Sequence, residues 1–461
     1  MNAESFDVVV IGAGSTGTNV AGYARDNGLS VAIVESDLVG GECSYWACMP
    51  SKALLGPVHA VAAADRLAGA DAAVSRSIDV DAVLARRDDI ISELDDASQV
   101  EWVESIGAVL IRGRGSLAGE RRVDVRSGDD SIRQLAARRG VVIATGSRPL
   151  VPPIDGIDAV DVWTNREATT TGEIPGRLLI VGGGVVGCEL AQAFSRLGAT
   201  VTIVESEERI LTNFSVAVAG VLADALDADG ITVRTGVEAR AVQRHGATVT
   251  VTLSDGSLIE ADRLMVATGR RFNTDDIGLD TVGLTPGGPI EVDDRLRVRG
   301  VAGGWLFAAG DVNGRALLTH QGKYQARCVG DTVAGHDTAA WADGTAVPQV
   351  VFTDPQIAAV GRSETDADGD DSLRVVTVEM SSVAAASLAA QTAGRASLVI
   401  DEVRDVVVGA SFVGHDVGEV LHSATIAIVG EVPVKRLWHA VPSFPTMSEV
   451  WLRLLEEIRG L

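Results

Sequence analysis

Residues 8–36, VVVIGAGSTGTNVAGYARDNGLSVAIVES, lie over residues 178–206, LLIVGGGVVGCELAQAFSRLGATVTIVES, at a constant offset of 170 and without a gap. Each stretch reads as an apolar strand, a glycine turn, a helix with small residues on its packing face, a stop at Gly28 or Gly198, and a second apolar strand ending in Glu35 or Glu205. That is a β-α-β unit present twice, the mark of a duplicated doubly wound architecture. A similar strand and turn follows each copy, VVIATGSRP with Gly146 and LMVATGRRFN with Gly269. The interval before the first is much the longer, so the first copy carries an insertion.

The glycines have a specific use. Gly12, Gly14 and Gly17 form G-x-G-x-x-G directly after a strand, and Gly182, Gly184 and Gly187 repeat it. Such a turn lets backbone approach a pyrophosphate at a helix N-terminus, where free N–H groups and the dipole favour an anion. Glu35 and Glu205, at the ends of the second strands, are placed to accept hydrogen bonds from a ribose. Two dinucleotides are therefore expected. Glu205 would repel a 2′-phosphate, which favours NADH over NADPH, while Arg209 four residues on keeps NADPH as the alternative.

Beyond about residue 275 the pattern changes. WLFAAGDVNG reads as a strand closing on Gly310 and Asp311, and a helix is expected over 317–333. The Gly/Asp/Ala-rich stretch 335–346 reads as a linker. After it, the period-2 runs VTVEM, ASLVID and DVVVGASFV predict antiparallel strands, with helices at EVLHSATIAIVG and at the C-terminus, so a third, α+β domain is expected. The acidic stretch 366–371, DADGDD, has Thr377 where a calcium loop needs a bidentate Glu, and reads as a solvated turn with no metal site.

Composition narrows the function. The chain has 461 residues, too many for one ordinary core, with 46% hydrophobic and 22% charged residues, as in a globular protein. A net charge of −24 would repel a phosphate backbone, so a nucleic-acid partner is not expected. Glu4 and Asp7 precede the first strand where a secretory signal would be basic, and no apolar run approaches the roughly 20 residues of a membrane span, so a cytoplasmic location is expected. Four cysteines are too few for a secreted disulfide scaffold, and in a reducing compartment a disulfide is catalytic more often than structural. Only three lysines occur, Lys52, Lys323 and Lys435, and Lys52 stands out by its neighbours.

Those neighbours are in GGECSYWACMPSKALL, inside the insertion. Cys43 and Cys48 are five apart, roughly 8 to 9 Å between Cα atoms in a regular helix and beyond disulfide reach, so the segment must be irregular there. Pro50 fits the first turn of a helix that starts just after Cys48. At that N-terminus Cys48 would have a lowered pKa, with Lys52 one turn on and on the same face.

With these motifs the chain resembles the flavoprotein disulfide reductases, the group of dihydrolipoyl dehydrogenase, glutathione reductase and mercuric reductase. The likeness runs from IGAGSTG through GGECSYWACMPSK, GGGVVGCEL, ATGRR, AAGDV and VFTDPQIAAVG to FPTMSE. It implies an α/β fold with two Rossmann-like domains, FAD-binding over 1–150 and 272–335 and NAD(P)-binding over 151–271, and an α+β dimerisation domain over 346–461. It implies FAD at the first glycine turn and the nicotinamide at the second. It makes Cys43 the interchange thiol and Cys48 the thiolate against the flavin, with the two forming a redox-active disulfide. Lys52 would lie near flavin N5 and pair with Glu189, and Asp311 would bind the ribityl chain. Gly41, Gly115, Thr145, Gly146, Ser147, Gly269, Leu318 and His320 would line the cofactors. Cys188 and Cys328 match no redox position and read as packing residues.

One motif departs from the family. Where it carries His-Pro-x-x-x-Glu, whose His serves the interchange thiol across a homodimer interface, this chain has Phe444, Pro445, Thr446, Met447, Ser448 and Glu449. A phenyl ring exchanges no proton, and a positioned acid contributes roughly 10² to 10⁴ in rate, so ordinary dihydrolipoamide turnover is in doubt. Mercuric reductases also lack that His, and a ketopropyl-coenzyme M carboxylase of the family uses Phe there to keep protons out. The C-terminal cysteine pair of mercuric reductases does not occur in EEIRGL. His439 is a candidate displaced base, with an ordinary surface or interface histidine as the alternative. The expected function is an NADH-dependent reductase of a disulfide or other thiol-reactive acceptor. The alternatives are a metal-ion or quinone reductase and a redox-switched flavoprotein binding subunit.

Overall fold

Both copies of the repeat fold as strand, glycine turn, helix and strand. The first comprises Glu4–Ile11, Ser15–Asp26 and Val31–Glu35, the second Arg177–Val181, Val185–Arg196 and Thr200–Val204. The two strands of each copy pair in parallel, as a helical crossover requires. Covered on both faces, they bury Val8, Val9 and Val10 in one copy and Leu178, Leu179 and Ile180 in the other, which is why they read as continuous apolar runs. The computed structural model describes residues 3–73 and 78–461.

The chain divides into two units. The first contains Met1–Pro50, Asp88–Pro149 and Arg270–Asp343, the second Ser51–Arg87, Leu150–Gly269 and Gly344–Leu461. In the first unit the sheet runs Val109–Arg112, Val31–Glu35, Glu4–Ile11, Ile132–Ile143, Arg122–Arg126, Arg114–Leu117, and Leu306–Ala308 also pairs with Ile132–Ile143. The helix Thr319–Ala334 covers it together with Ser15–Asp26. The second unit holds the parallel sheet Thr232–Arg234, Thr200–Val204, Arg177–Val181, Arg263–Val266 and a three-stranded antiparallel sheet over 239–261. It also holds a five-stranded antiparallel sheet, Gln349–Val351, Gln356–Gly361, Val406–Gly414, Arg395–Asp401, Leu373–Glu379, packed by the helices Val417–Val429 and Val450–Arg459. The period-2 runs are thus strands of one antiparallel sheet. The architecture is α/β with two dinucleotide-type folds and a C-terminal α+β portion.

Two segments differ from the sequence reading. Residues 51–87, grouped there with the first repeat, belong to the second unit: Leu54, Leu55, Val58, Val83 and Leu84 form a core with Ala193 and Leu197. Arg87, 1% exposed, donates to the carbonyls of Thr169 and Thr171. Helical periodicity shows an apolar face but not which sheet covers it. The stretch 335–346 is also no free linker. Ala340 is buried, and the Asp343 carboxylate accepts from Gln321 and Gln325. In the acidic stretch, Asp366 and Asp370 accept from the nearby backbone N–H groups of Ser363 and Ser372. No helix among the described residues is long and apolar enough to cross a membrane.

Candidate active site

The glycines of each turn divide by what a side chain would meet. A Cβ on Gly12 (φ +102°) would lie 2.4 Å from the Ala144 carbonyl oxygen, and on Gly182 (φ +114°) 2.4 Å from that of Ala267. A Cβ on Gly17 would lie 1.9 Å from Gly12 O, and on Gly187 2.0 Å from Gly182 O. These four are required by the turn and by close packing of the helix upon it. Gly14 and Gly184 are different: a Cβ on Gly14 meets nothing nearer than Gly41 Cα at 3.9 Å, and on Gly184 nothing within 4 Å. Nothing in the protein itself requires glycine there, and the open space lies at the start of a helix with no side-chain cap and no acid in its first turn. N–H donors without a side-chain cap, facing open space, fit a pyrophosphate.

The carboxylates complete each cradle. Glu35 accepts from Ala13 N at 2.7 Å and Asp37 N at 2.8 Å, and Glu205 accepts from Gly183 N at 2.6 Å and Glu207 N at 2.9 Å. Both are pinned against their glycine turns at the ends of the second strands. Burial raises the Glu35 pKa against the pull of its backbone N–H bonds. Arg209 donates to the carbonyls of Ile210, Leu211, Thr212 and Phe214, so its guanidinium holds a loop.

Asp311, after the strand Leu306–Ala308, accepts from Ser147 Oγ at 2.5 Å. Arg270 donates to Ser147 Oγ at 2.6 Å and to its carbonyl at 2.8 Å, and lies 3.8 Å from Asp311 and 3.7 Å from Glu42. Thr145 donates to Asn273 O, and Gly146 has open space around it, as does Gly269. A Cβ on Gly115 would press at 3.1 Å on Ile11 and Val34, so core packing alone explains that glycine. Leu318 caps the helix Thr319–Ala334, and His320 is exposed in its first turn.

The cysteine segment is tied to the first glycine turn. Gly40 N donates to Ala13 O at 2.8 Å, and Gly41 (φ +63°) approaches so closely that a Cβ would lie 2.9 Å from Gly14 Cα. A short helix, Gly41–Tyr45, stops at Trp46 (φ −134°), and a second, Cys48–Arg66, begins at Cys48 with Pro50 in its first turn. The break expected from the cysteine spacing is therefore present. Both cysteines are half-buried free thiols, hydrogen-bonded to each other, and Thr319 Oγ1 lies 3.4 Å from Cys48 Sγ. The bond to Cys48, then burial and the neighbouring sulfur's charge, push the Cys43 pKa up, against smaller opposing effects of Thr319 and Lys323. Cys48 is the sulfur at the helix N-terminus, the position at which a helix dipole favours a thiolate.

Within the second unit, Lys52 Nζ contacts Glu189 Oε2 at 2.7 Å and lies 4.6 Å from the centre of the Phe352 ring. Glu189 is almost wholly buried, and its other oxygen accepts from Phe352 N at 2.9 Å. Phe352 thus fixes both partners, one through its backbone and one through its ring. Sequence reasoning missed Phe352, Thr319, Lys323 and Arg270. The scarcity of lysine, and the single helical turn between Thr319 and Lys323, were signals that could have pointed to two of them.

Phe444 is 75% exposed, and His439 is exposed just after the helix Val434–Leu437. Glu449 is buried, with one oxygen accepting from Arg453 at 2.5 Å and the other from Ala384 N at 3.3 Å. Cys188 and Cys328 are buried with thiol pKa values raised by burial.

The comparisons with known proteins agree with this geometry. Residues 6–326 match the family model of pyridine nucleotide-disulphide oxidoreductases, and residues 347–454 that of the family's dimerisation domain. The chain is 30% identical to a dihydrolipoyl dehydrogenase of Chlamydia muridarum, covering 97% of this chain and 96% of that one. It is 33% identical to a glutathione reductase of Burkholderia cepacia, covering 98% and 99%. The crystal structure of LpdA from Mycobacterium tuberculosis superposes with a TM-score of 0.89 at 26% identity, covering 99% of this chain and all of that one. The chain belongs to the pyridine nucleotide-disulphide oxidoreductases, flavoprotein enzymes that use FAD and NAD(P)H.

Proposed function

We propose that this protein draws electrons from NADH and delivers them through the Cys43–Cys48 pair to a disulfide or other thiol-reactive acceptor. The observation that carries the reading is the pair itself: two thiols in hydrogen-bond contact, on a segment bonded to the first glycine turn, with the helix start and Thr319 beside Cys48. FAD belongs at the turn of Gly12, Gly14 and Gly17, and the nicotinamide at that of Gly182, Gly184 and Gly187. When bound, the flavin supplies two-electron transfer between nicotinamide and disulfide.

The residues account for the rest. Reduction leaves the negative charge on Cys48 and the proton on Cys43. Cys43, once deprotonated, attacks one sulfur of the acceptor and expels the other as a thiolate, which takes up a proton. Cys48 then attacks Cys43, expelling the second thiolate and restoring the disulfide, so one disulfide is reduced to two thiols for each NADH oxidised. Lys52, held by Glu189 and Phe352, contributes a fixed positive charge one helical turn after Cys48. We assign the C-terminal portion to a homodimer interface and the enzyme to the cytoplasm. Anaerobic reduction with NADH, followed by a panel of disulfides, quinones and metal ions, tests the reading. Rapid reoxidation by quinones or metal ions with none by any disulfide would overturn it.

The nicotinamide preference follows from Glu205. Its carboxylate is pinned by Gly183 N and Glu207 N at the end of the second strand, where its charge would repel a 2′-phosphate, and Arg209 is held by its loop. NADH is expected to have the higher kcat/KM, and Glu205→Ala to narrow the gap by about 10-fold. Steady-state kinetics with both nucleotides decide it, and a wild-type preference for NADPH sinks the assignment.

A further inference from the structure

We propose that Lys323 selects the acceptor by charge: the molecule reduced at Cys43 is a small anion, carrying a carboxylate, sulfonate or phosphate close to its thiol-reactive centre. This rests on the reading above, in which Cys43 is the sulfur that meets the acceptor.

The helix Thr319–Ala334 opens beside the cysteine pair, with Thr319 Oγ1 3.4 Å from Cys48 Sγ. Lys323 is four residues on, so it shares the face of Thr319 one turn further along. Its charge exerts a small downward pull on the Cys43 thiol pKa, the least of the effects on that group. It is exposed, and no described carboxylate forms an ion pair with it. The partner it lacks within the protein is an anion.

The charge of the whole molecule gives this cation a purpose. At −24 the protein repels an anionic acceptor at long range. A lysine acting over a Debye length of about 8 to 10 Å reverses that repulsion only at the reacting thiol. A neutral acceptor would need no such group, and a cationic one would be turned away by it.

Two aromatic disulfides separate the possibilities: dithiobis-nitrobenzoate, which is anionic, and dithiodipyridine, which is neutral. Both release thiolates that leave without a proton donor, so the change at Phe444 does not obscure the comparison. The measured quantity is the ratio of kcat/KM for the anionic over the neutral disulfide in the full-length, FAD-loaded enzyme. In Lys323→Ala this ratio is expected to fall roughly 5- to 10-fold. Lys323→Arg should retain it, and added salt should lower it in wild type. An equal loss with both disulfides would show that Lys323 acts on the thiol, and an unchanged ratio that it does nothing here; either overturns the inference. If neither disulfide reoxidises the reduced wild-type enzyme, the parent reading of Cys43 fails, and that outcome is distinct from both.

Discussion

Cys48→Ser is expected to lose the long-wavelength absorbance that a thiolate against the flavin gives on two-electron reduction, and to lose NADH-driven disulfide reduction by about 10³-fold or more. The purified wild type should be yellow and should show the band. Cys48 begins the helix Cys48–Arg66, and Thr319 and Cys43 both contact its sulfur, so the anion is favoured on this cysteine. Serine is similar in shape but un-ionised at neutral pH, and a lone Cys43 cannot close a disulfide. Spectra taken anaerobically after one equivalent of NADH check the first expectation, and turnover with disulfides the second. Persistence of the band in the variant would show that the thiolate is elsewhere.

The second large effect is expected at Phe444. If Phe444 stands where the family places its imidazole, wild type should reduce its own cysteine pair rapidly from NADH yet turn over lipoamide or glutathione disulfide poorly. The hydrogen bond to Cys48 and burial raise the Cys43 pKa, which makes this loss matter. Phe444→His should speed the second half-reaction by up to roughly 10² to 10⁴. A neutral imidazole is the form that accepts the proton, so this rate should rise with pH through a histidine pKa of about 6.5. The structure adds a condition: the Glu449 oxygens are taken by Arg453 and Ala384 N, so an imidazole at 444 must compete for the carboxylate. Phe444→His combined with Arg453→Gln should therefore exceed Phe444→His alone. Stopped-flow measurement of the two half-reactions separates these effects from poor acceptor binding. Rapid wild-type turnover of these disulfides would mean that another residue moves the proton, with His439 the first to examine.

The repeat was the most legible part of the molecule, because strands buried on both faces leave continuous apolar runs and glycine turns leave fixed spacings. The five-position spacing of Cys43 and Cys48 also foretold a helix break, which lies at Trp46. What stayed hidden depends on tertiary placement. The apolar face of 51–87 reads the same whichever sheet covers it, and only Leu54, Val83 and Ala193 in one core reveal the answer. Asp343 sits in a stretch with linker composition, and its role depends on Gln321 and Gln325 in a helix some twenty residues earlier. Arg209 invites a phosphate by its spacing from Glu205, while its donors are turned to loop carbonyls that spacing cannot show. Phe352 joins Lys52 and Glu189 from far along the chain, and its neighbours in sequence give no sign of it.

The central claim is that Cys43 and Cys48 carry every electron pair from NADH to the acceptor, and trapping them during turnover tests it most directly. The air-oxidised enzyme is mixed anaerobically with NADH, quenched with an alkylating reagent at successive times, and analysed by peptide mass. Both cysteines are predicted to pass from disulfide to alkylated thiols at least as fast as kcat, and to return to the disulfide when acceptor is added, while Cys188 and Cys328 keep one state throughout. Acceptor reduced at the full rate while Cys43 and Cys48 stay in one state would contradict the account.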